Sequence, residues 1–396
     1  MRIVWIIDNK FRELYGLYDL KKKLKESGIN LYLVHKFSWK VGLEFFNPEI
    51  VIIPNLAKTS GAPILNYASK KNIDVYLHTS ESIFYQERVQ KDKYPINLIK
   101  KIKKVLLWSK EDAKYLKKMG FSKKLFLSGA LKFDKRQFHS ITQNNSSKIK
   151  TVGIPTSLRY NTSHTYINVP WNIRNAVYKN DNLKLTFIKR ENEYLELISR
   201  IIYKLSKKNI KVIIKPHPFE SEKIYQEAFP EAEIFSDVDV RSFLEKTDII
   251  LNLRSSIAVD SIKFGIPVIK LDNCINWRKH DTQAPTSIGL SAKNFNDVVN
   301  LIIKNSPNKL FLKCKNKGDL KEAEKLACSN DNLTAYCTLF NKAKKEKKNL
   351  NMFYIFKYFF VEIRQFFFRG RRKQLFAFWN YKDRKLLKDL RLKINK

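Results

Sequence analysis

Residues 248–271, with the sequence DIILNLRSSIAVDSIKFGIPVIKL, decide the fold class of this 396-residue chain. The apolar run over 248–253 predicts a buried strand, and the helical pattern over 256–264 ends at a Gly-Ile-Pro sequence. Another apolar run, over 267–271, follows immediately. Two short buried strands joined by one helix predict a parallel sheet that is covered by helices on both faces.

The same alternation continues towards both ends of the chain. Further strands are predicted at 2–7, 30–35, 49–54, 73–77, 104–108, 124–127, 150–154, 184–188 and 211–215. Further helices are predicted at 12–26, 110–119, 191–207 and 240–246. The polar stretch over 137–148 predicts a linker. We therefore expect an α/β fold with two Rossmann-like domains facing a cleft, at 1–136 and 149–338, and a C-terminal basic aromatic helical tail at 339–396.

The charge of the chain predicts a polyanionic neighbour. Lys and Arg number 76 against 38 Asp and Glu, a formal net charge of +38. A membrane surface, a nucleic acid and a phosphorylated substrate all fit this excess, and so does a lysine-rich coding bias. No helix-turn-helix, zinc-finger or RNP signature is present, so we expect no nucleic-acid partner.

The cysteines and the apolar runs narrow the class of protein further. The four cysteines show neither close pairing nor zinc-ligand spacing, which favours a reduced, cytoplasmic chain without a metal site. We find neither a secretory signal nor an uncharged apolar run of about 20 residues, the length that a spanning helix requires.

The tail carries the densest basic and aromatic pattern. Residues 341–396 hold 18 basic and four acidic residues, a net charge of +14, and residues 352–381 hold 13 aromatic side chains. On a helix, Phe353, Phe356 and Phe360 share one face, with Lys357 beside it. This pattern predicts a helix lying on an anionic membrane surface. Packing on the protein's own core and nucleic-acid binding remain as alternatives.

The sharpest local motif is Lys215-Pro216-His217-Pro218, which follows the predicted strand at 211–215. Ligands of open parallel sheets bind beyond the carboxyl ends of the strands. The prolines restrict the backbone there, and a His or Lys side chain can donate to a phosphate oxygen. The alternative is a turn histidine that bonds only to nearby backbone.

A matching element follows the strand at 248–253. Ser255 and Ser256 offer hydroxyls and free N–H groups at a helix start, and Arg254 can add a charged hydrogen bond. Asp260, one turn later on the same face as Ser256, is a candidate for binding ribose hydroxyls. The alternative makes Ser255 an N-cap and Asp260 a solvated helix residue. We expect the His-Pro element on an adjacent strand.

Three further polar residues follow strands. Thr156 comes directly after the strand at 150–154 and is a candidate for contacting phosphate or sugar, although polar residues commonly follow strands. In the first domain, Glu81 is the candidate general base towards an acceptor hydroxyl, and His78 can orient it or replace it. The alternative is that Glu81 belongs to the first turn of a helix.

These motifs resemble a known family. The two elements around His217 and Ser255 resemble the His-Pro and Ser-Ser motifs of bacterial CMP-sugar transferases of the GT-B fold, which handle sialic acids and Kdo. In that family the His-Pro element contacts the CMP part of the donor and the serines bind its phosphate. Residues 73–272 are also similar to surface-carbohydrate biosynthesis proteins. In sialyltransferases of this type, the catalytic acid lies in an Asp/Glu-Asp-Gly element. The nearest match in this chain, Thr79-Ser80-Glu81-Ser82, lacks the glycine.

The resemblance implies a glycosyltransferase that moves an ulosonic-type sugar from a CMP donor to a surface glycan or lipid-linked acceptor. It implies a donor-binding second domain, an acceptor-binding first domain, no cofactor and no metal. With the tail, it implies a peripheral location at the inner face of the cell membrane. A CDP-glycerol or CDP-ribitol phosphotransferase and a basic nucleic-acid-binding protein are the alternatives.

Overall fold

The computed structural model describes residues 1–8, 10–56, 60–78, 96–118, 120–134, 147–158, 181–217, 220–236, 239–253, 255–275, 287–328 and 331–343. These residues divide into two compact units. The first contains the described residues up to 134 together with 324–343, and the second contains those from 147 to 323.

The first unit is built on a six-stranded parallel sheet. Its strands are β1 (Arg2–Ile7), β2 (Asn30–His35), β3 (Ile50–Ile53), β4 (Asp74–His78), β5 (Lys104–Leu107) and β6 (Leu125–Leu127), in the order β2-β1-β3-β4-β5-β6. The helices between them are α1 (Lys10–Glu26), α2 (Trp39–Phe46), α3 (Gly61–Lys70), α4 (Ile96–Lys100) and α5 (Lys110–Lys118). β1 and β3 are buried throughout, as expected for strands covered on both faces.

The second unit repeats this architecture with a different strand order. Its strands are β7 (Thr151–Pro155), β8 (Lys211–Lys215), β9 (Glu233–Ile234), β10 (Ile249–Asn252), β11 (Val268–Lys270) and β12 (Leu290–Ser291), in the order β12-β11-β10-β7-β8-β9. The helices are α6 (Asp181–Ser206), α7 (Glu222–Ala228), α8 (Val240–Leu244), α9 (Ile257–Lys263), α10 (Phe295–Ile303), α11 (Pro307–Lys317) and α12 (Asp319–Leu326). Gly265 ends α9 with a φ of +80°, which glycine adopts without strain.

One predicted strand is wrong. Residues 184–188 lie inside α6, which begins ten residues before the helix predicted at 191–207. A five-residue apolar run does not by itself distinguish a strand from a helix. The buried residues Tyr194, Ile198, Ile201 and Leu205 follow the helical period, and the same helix continues backwards through the run.

The last described helix, α13 (Asn332–Lys342), packs on the first unit, although the predicted second domain extends to residue 338. Its buried face, Leu333, Tyr336 and Phe340, joins the cluster that contains Trp5 of β1. The Asn332 side chain donates to the carbonyl of Ala130 at 2.8 Å. The chain therefore returns to its N-terminal unit after completing the second sheet.

The predicted tail lies almost entirely outside the described residues. Of residues 339–396, the structure describes 339–343, and α13 includes the first four of these. Among the helices that the structure describes, none has both the length and the apolar composition that a membrane span requires.

Candidate functional site

The carboxyl ends of β10, β7 and β8 form the centre of the candidate site. β7 lies in the middle of its sheet, with β8 on one side and β10 on the other. The chain proceeds outward from β7 to β9 and then crosses to β10 on the opposite side. This reversal is a topological switch point, the place where ligands of open α/β sheets bind.

His217 lies just beyond β8, and its backbone is held by Glu220. The Glu220 carboxylate accepts a hydrogen bond from the His217 amide. The Glu220 amide donates in return to the His217 carbonyl at 2.8 Å. These two bonds hold the backbone of His217 to Glu220, and His217 is half-buried. His217 therefore occupies the predicted place at the strand end.

Glu220 also joins the end of β8 to the end of β7. Its carboxylate accepts from the Thr156 hydroxyl at 2.6 Å, from the Leu158 amide and from the Tyr225 hydroxyl at 3.2 Å. Burial raises the pKa of Glu220 to about 7, although these hydrogen bonds and the one from His217 act to lower it. The Thr156 amide adds a direct bond to the Lys215 carbonyl at 3.0 Å.

Glu220 was missed by sequence reasoning. Acidic side chains are rarely fully buried, so composition favours a solvated position. The available signal was its place three residues after His217, close enough in the chain for its carboxylate to accept a hydrogen bond from the His217 amide. Its partner Thr156 was predicted to contact phosphate or sugar, but the structure buries Thr156 and directs its hydroxyl to Glu220.

The two serines lie at the end of β10. The Ser255 amide donates to the Asn252 side chain at 3.0 Å, and the Ser255 hydroxyl oxygen accepts from the Ile257 amide at 3.3 Å. Ser256 precedes α9, is exposed and makes no side-chain cap of the helix. Both hydroxyls can still donate to an anion. Ser255 thus supports the helix start while Ser256 faces solvent.

Two other predicted donor-binding residues are buried. Asp260 is 3% exposed, so it is not a solvated helix residue. Its burial also restricts its access to a ribose. Lys215 is buried at the last position of β8. Both lie on the elements that carry His217 and the serines.

β8 and β10 are not adjacent, contrary to the sequence-based expectation. β7 lies between them and pairs with both in parallel. Because neighbouring strands are about 4.8 Å apart, the two strand ends are separated by roughly 10 Å across the sheet. The His217 and Ser255 elements therefore flank a gap whose floor is the end of β7.

In the first unit, His78 ends β4 as predicted but is enclosed. It is 4% exposed, and its Nε2 atom accepts from Trp108 Nε1 at 3.0 Å. Its ring lies 4.8 Å from that of Trp5 and 6.0 Å from that of Tyr336, between centroids. His78 is therefore part of the buried core of the first unit.

Three predicted site residues, Glu81, Pro218 and Arg254, lie outside the described residues. Within the described part of the chain, no cluster of three or more His, Cys, Asp or Glu side chains is arranged to hold a metal ion.

Comparisons with known proteins support the fold. No protein-family model and no curated protein matches the chain. The UDP-GlcNAc 2-epimerase of Methanocaldococcus jannaschii, in complex with UDP-GlcNAc and UDP, is similar over 87% of this chain and 100% of its own, with 13% identity and a TM-score of 0.52. A Listeria monocytogenes protein described as a UDP-N-acetylglucosamine 2-epimerase is similar over 89% of this chain and 99% of its own, with 11% identity and a TM-score of 0.55. The predicted fold class, two Rossmann-like α/β domains of the GT-B type, is confirmed.

Proposed function

We propose that the chain is a sugar-nucleotide-dependent glycosyltransferase that moves a CMP-activated ulosonic-type sugar to a surface glycan or lipid-linked acceptor. The observation that carries the proposal is the pair of strand ends at the switch point of the second sheet. His217 lies at one and Ser255 with Ser256 at the other, on either side of β7. Their resemblance to the His-Pro and Ser-Ser motifs supports CMP as the nucleotide.

In the proposed reaction, an acceptor hydroxyl oxygen forms a bond to the anomeric carbon of the sugar. The bond from that carbon to the phosphate oxygen breaks, and CMP leaves with the electron pair. Glu81 takes the acceptor's proton. His217, Ser255 and Ser256 donate to the phosphate as negative charge accumulates on it. These bonds strengthen towards the transition state, so they accelerate the reaction.

A second candidate is an enzyme that uses a UDP-sugar. The observation that favours it is the set of similar structures, since the M. jannaschii epimerase holds UDP-GlcNAc and UDP. A Neisseria meningitidis UDP-GlcNAc 2-epimerase bound to UDP-GlcNAc is also similar, over 87% of this chain and 99% of its own, with 13% identity and a TM-score of 0.50. Cytosine and uracil are both pyrimidine bases, and direct comparison of their nucleotides distinguishes the two candidates.

A thermal-shift series tests the nucleotide. We expect CMP to raise the unfolding midpoint more than CDP, UMP or UDP at equal concentration. A ligand at 100 times its Kd adds about 2.7 kcal/mol to the stability of the native state. The control is His217→Ala, which should weaken CMP binding by about 1.5–3 kcal/mol, the contribution of a hydrogen bond to a charged group.

Each other pattern of shifts has a definite meaning. A larger shift with UDP supports the UDP-sugar candidate, and a larger shift with CDP supports the polyol phosphotransferase. Equal affinity of native and His217→Ala proteins for every nucleotide, measured by calorimetry, contradicts the proposed site.

We also propose that residues 352–396 hold the enzyme on an anionic membrane surface at the cytoplasmic face. Removing them should abolish co-sedimentation with vesicles rich in phosphatidylglycerol, because each basic residue near such a surface contributes about 1 kcal/mol. The CMP-induced thermal shift should persist in the truncated protein. Neutral phosphatidylcholine vesicles serve as the control, and equal sedimentation of both forms with anionic vesicles contradicts the proposal.

A further inference from the structure

The buried side chain of Glu220 contacts three described segments of the second unit. Its Oε2 atom accepts from the Thr156 hydroxyl after β7 and from the His217 amide after β8. Its Oε1 atom accepts from the Leu158 amide and from the Tyr225 hydroxyl of α7. The carboxylate therefore links the ends of two neighbouring strands to the helix that follows them.

We infer that Glu220 is a positioning residue of the nucleotide site, which sets the direction of the His217 imidazole by fixing the ends of β7 and β8. The inference rests on the proposed function, because it takes His217 as a nucleotide contact. Glu220 itself is buried, so it acts through His217 and not on the ligand.

The hydrogen-bond pattern requires a carboxyl group in particular. Each of the two oxygens receives one backbone N–H, from Leu158 on Oε1 and from His217 on Oε2. Backbone amides can only donate, so both side-chain atoms must accept. A glutamine side chain would turn its NH₂ group towards one of these N–H groups. Glu220→Gln therefore breaks the linkage with almost no change in volume.

The same sheet supplies a matched control at its opposite end. Asp248 is also a buried carboxylate, 5% exposed, and its Oδ2 atom accepts from the amides of Lys150 and Thr151 at 2.7 and 2.9 Å. It joins the amino-terminal ends of β7 and β10, far along the strands from His217. Asp248→Asn should lower the unfolding midpoint without changing nucleotide affinity.

The test is a double-mutant cycle read by calorimetry with CMP. We expect Glu220→Gln to raise the Kd about tenfold, and the double variant with His217→Ala to bind no more weakly than His217→Ala alone, since residues that share one function are not additive. Native-like CMP affinity in folded Glu220→Gln overturns the inference. Independent, additive losses from the two substitutions overturn it as well.

A second measurement needs no ligand and separates this inference from the proposed function. The Cε1–H signal of His217, assigned by its absence in His217→Ala, should move towards its unfolded position in Glu220→Gln and stay in place in Asp248→Asn. If no nucleotide binds the native chain, the proposed function fails while this signal still tests the positioning role. If Glu220→Gln does not fold, Thr156→Val removes one hydrogen bond to the same oxygen, and an unmoved His217 signal in that variant overturns the inference.

Discussion

Glu81→Gln is expected to lower kcat by about 10²–10⁴-fold while CMP affinity stays within roughly twofold of native, because a positioned general base contributes a rate factor of that size. The change keeps the shape of the side chain and removes its ability to take a proton. The measurement is sugar transfer from CMP-sialic acid or CMP-Kdo to a glycan acceptor, with CMP binding followed in parallel. Near-normal turnover would place the base elsewhere.

His78 provides the comparison for this experiment, since the sequence admits it as the alternative base. The structure encloses its ring against Trp5, Trp108 and Tyr336, and its Nε2 atom is bonded to Trp108. His78→Gln should therefore lower the unfolding midpoint, because it disturbs a packed aromatic cluster. A variant with native stability and strongly reduced turnover would instead assign proton transfer to His78.

Three of the predicted strands have the bounds that the structure shows. β1, β2 and β8 have the bounds that their apolar runs predict, at 2–7, 30–35 and 211–215. Each contains a short apolar run with a polar residue at one end or at both, such as Lys211 and Lys215 of β8, and these residues mark the strand bounds. β9 and β12 contain two residues each, which is too short for any period to be read.

The site was predictable where it depends on strand ends and unpredictable where it depends on tertiary pairing. His217 and Ser255 follow apolar runs, so their place at one edge of the sheet follows from parallel topology. The insertion of β7 between their strands depends on strand order, which a single sequence does not encode locally. The role of Glu220 was not predictable because its four hydrogen-bond donors are spread along the chain from residue 156 to residue 225.

The unit against which α13 packs was also not predictable from the sequence. Its sequence shows an apolar face with Leu333, Tyr336 and Phe340 at helical spacing. This pattern does not indicate which of the two cores the face packs against. Nearness in the chain favoured the second domain. In the structure, the Leu333 amide donates to Asp134 at 2.8 Å, and Gly129, with a φ of +67°, leaves room for Asn332 where any Cβ atom would collide.

Phe340→Ala should lower the free energy of unfolding of the first unit by about 3–5 kcal/mol, the usual cost of removing a buried phenyl ring. Phe340 is fully buried, and its ring lies 6.2 Å from those of Tyr76 and Tyr336, between centroids. The lost ring would leave a cavity beside β4, the strand that carries Tyr76. Denaturant unfolding should show the loss in one transition, while the transition that CMP stabilises keeps its midpoint.

Leu312→Ala is the control for this prediction, because Leu312 is 54% exposed on α11 and belongs to the second unit. Its substitution should change stability by less than about 0.5 kcal/mol. If Phe340→Ala instead shifts the CMP-stabilised transition, α13 contributes its stability to the nucleotide-binding unit. If neither transition moves, the packing of α13 adds little to folding. We expect the loss in the first unit because a helix stabilises the core in which its apolar face is buried. Its position in the sequence does not change this.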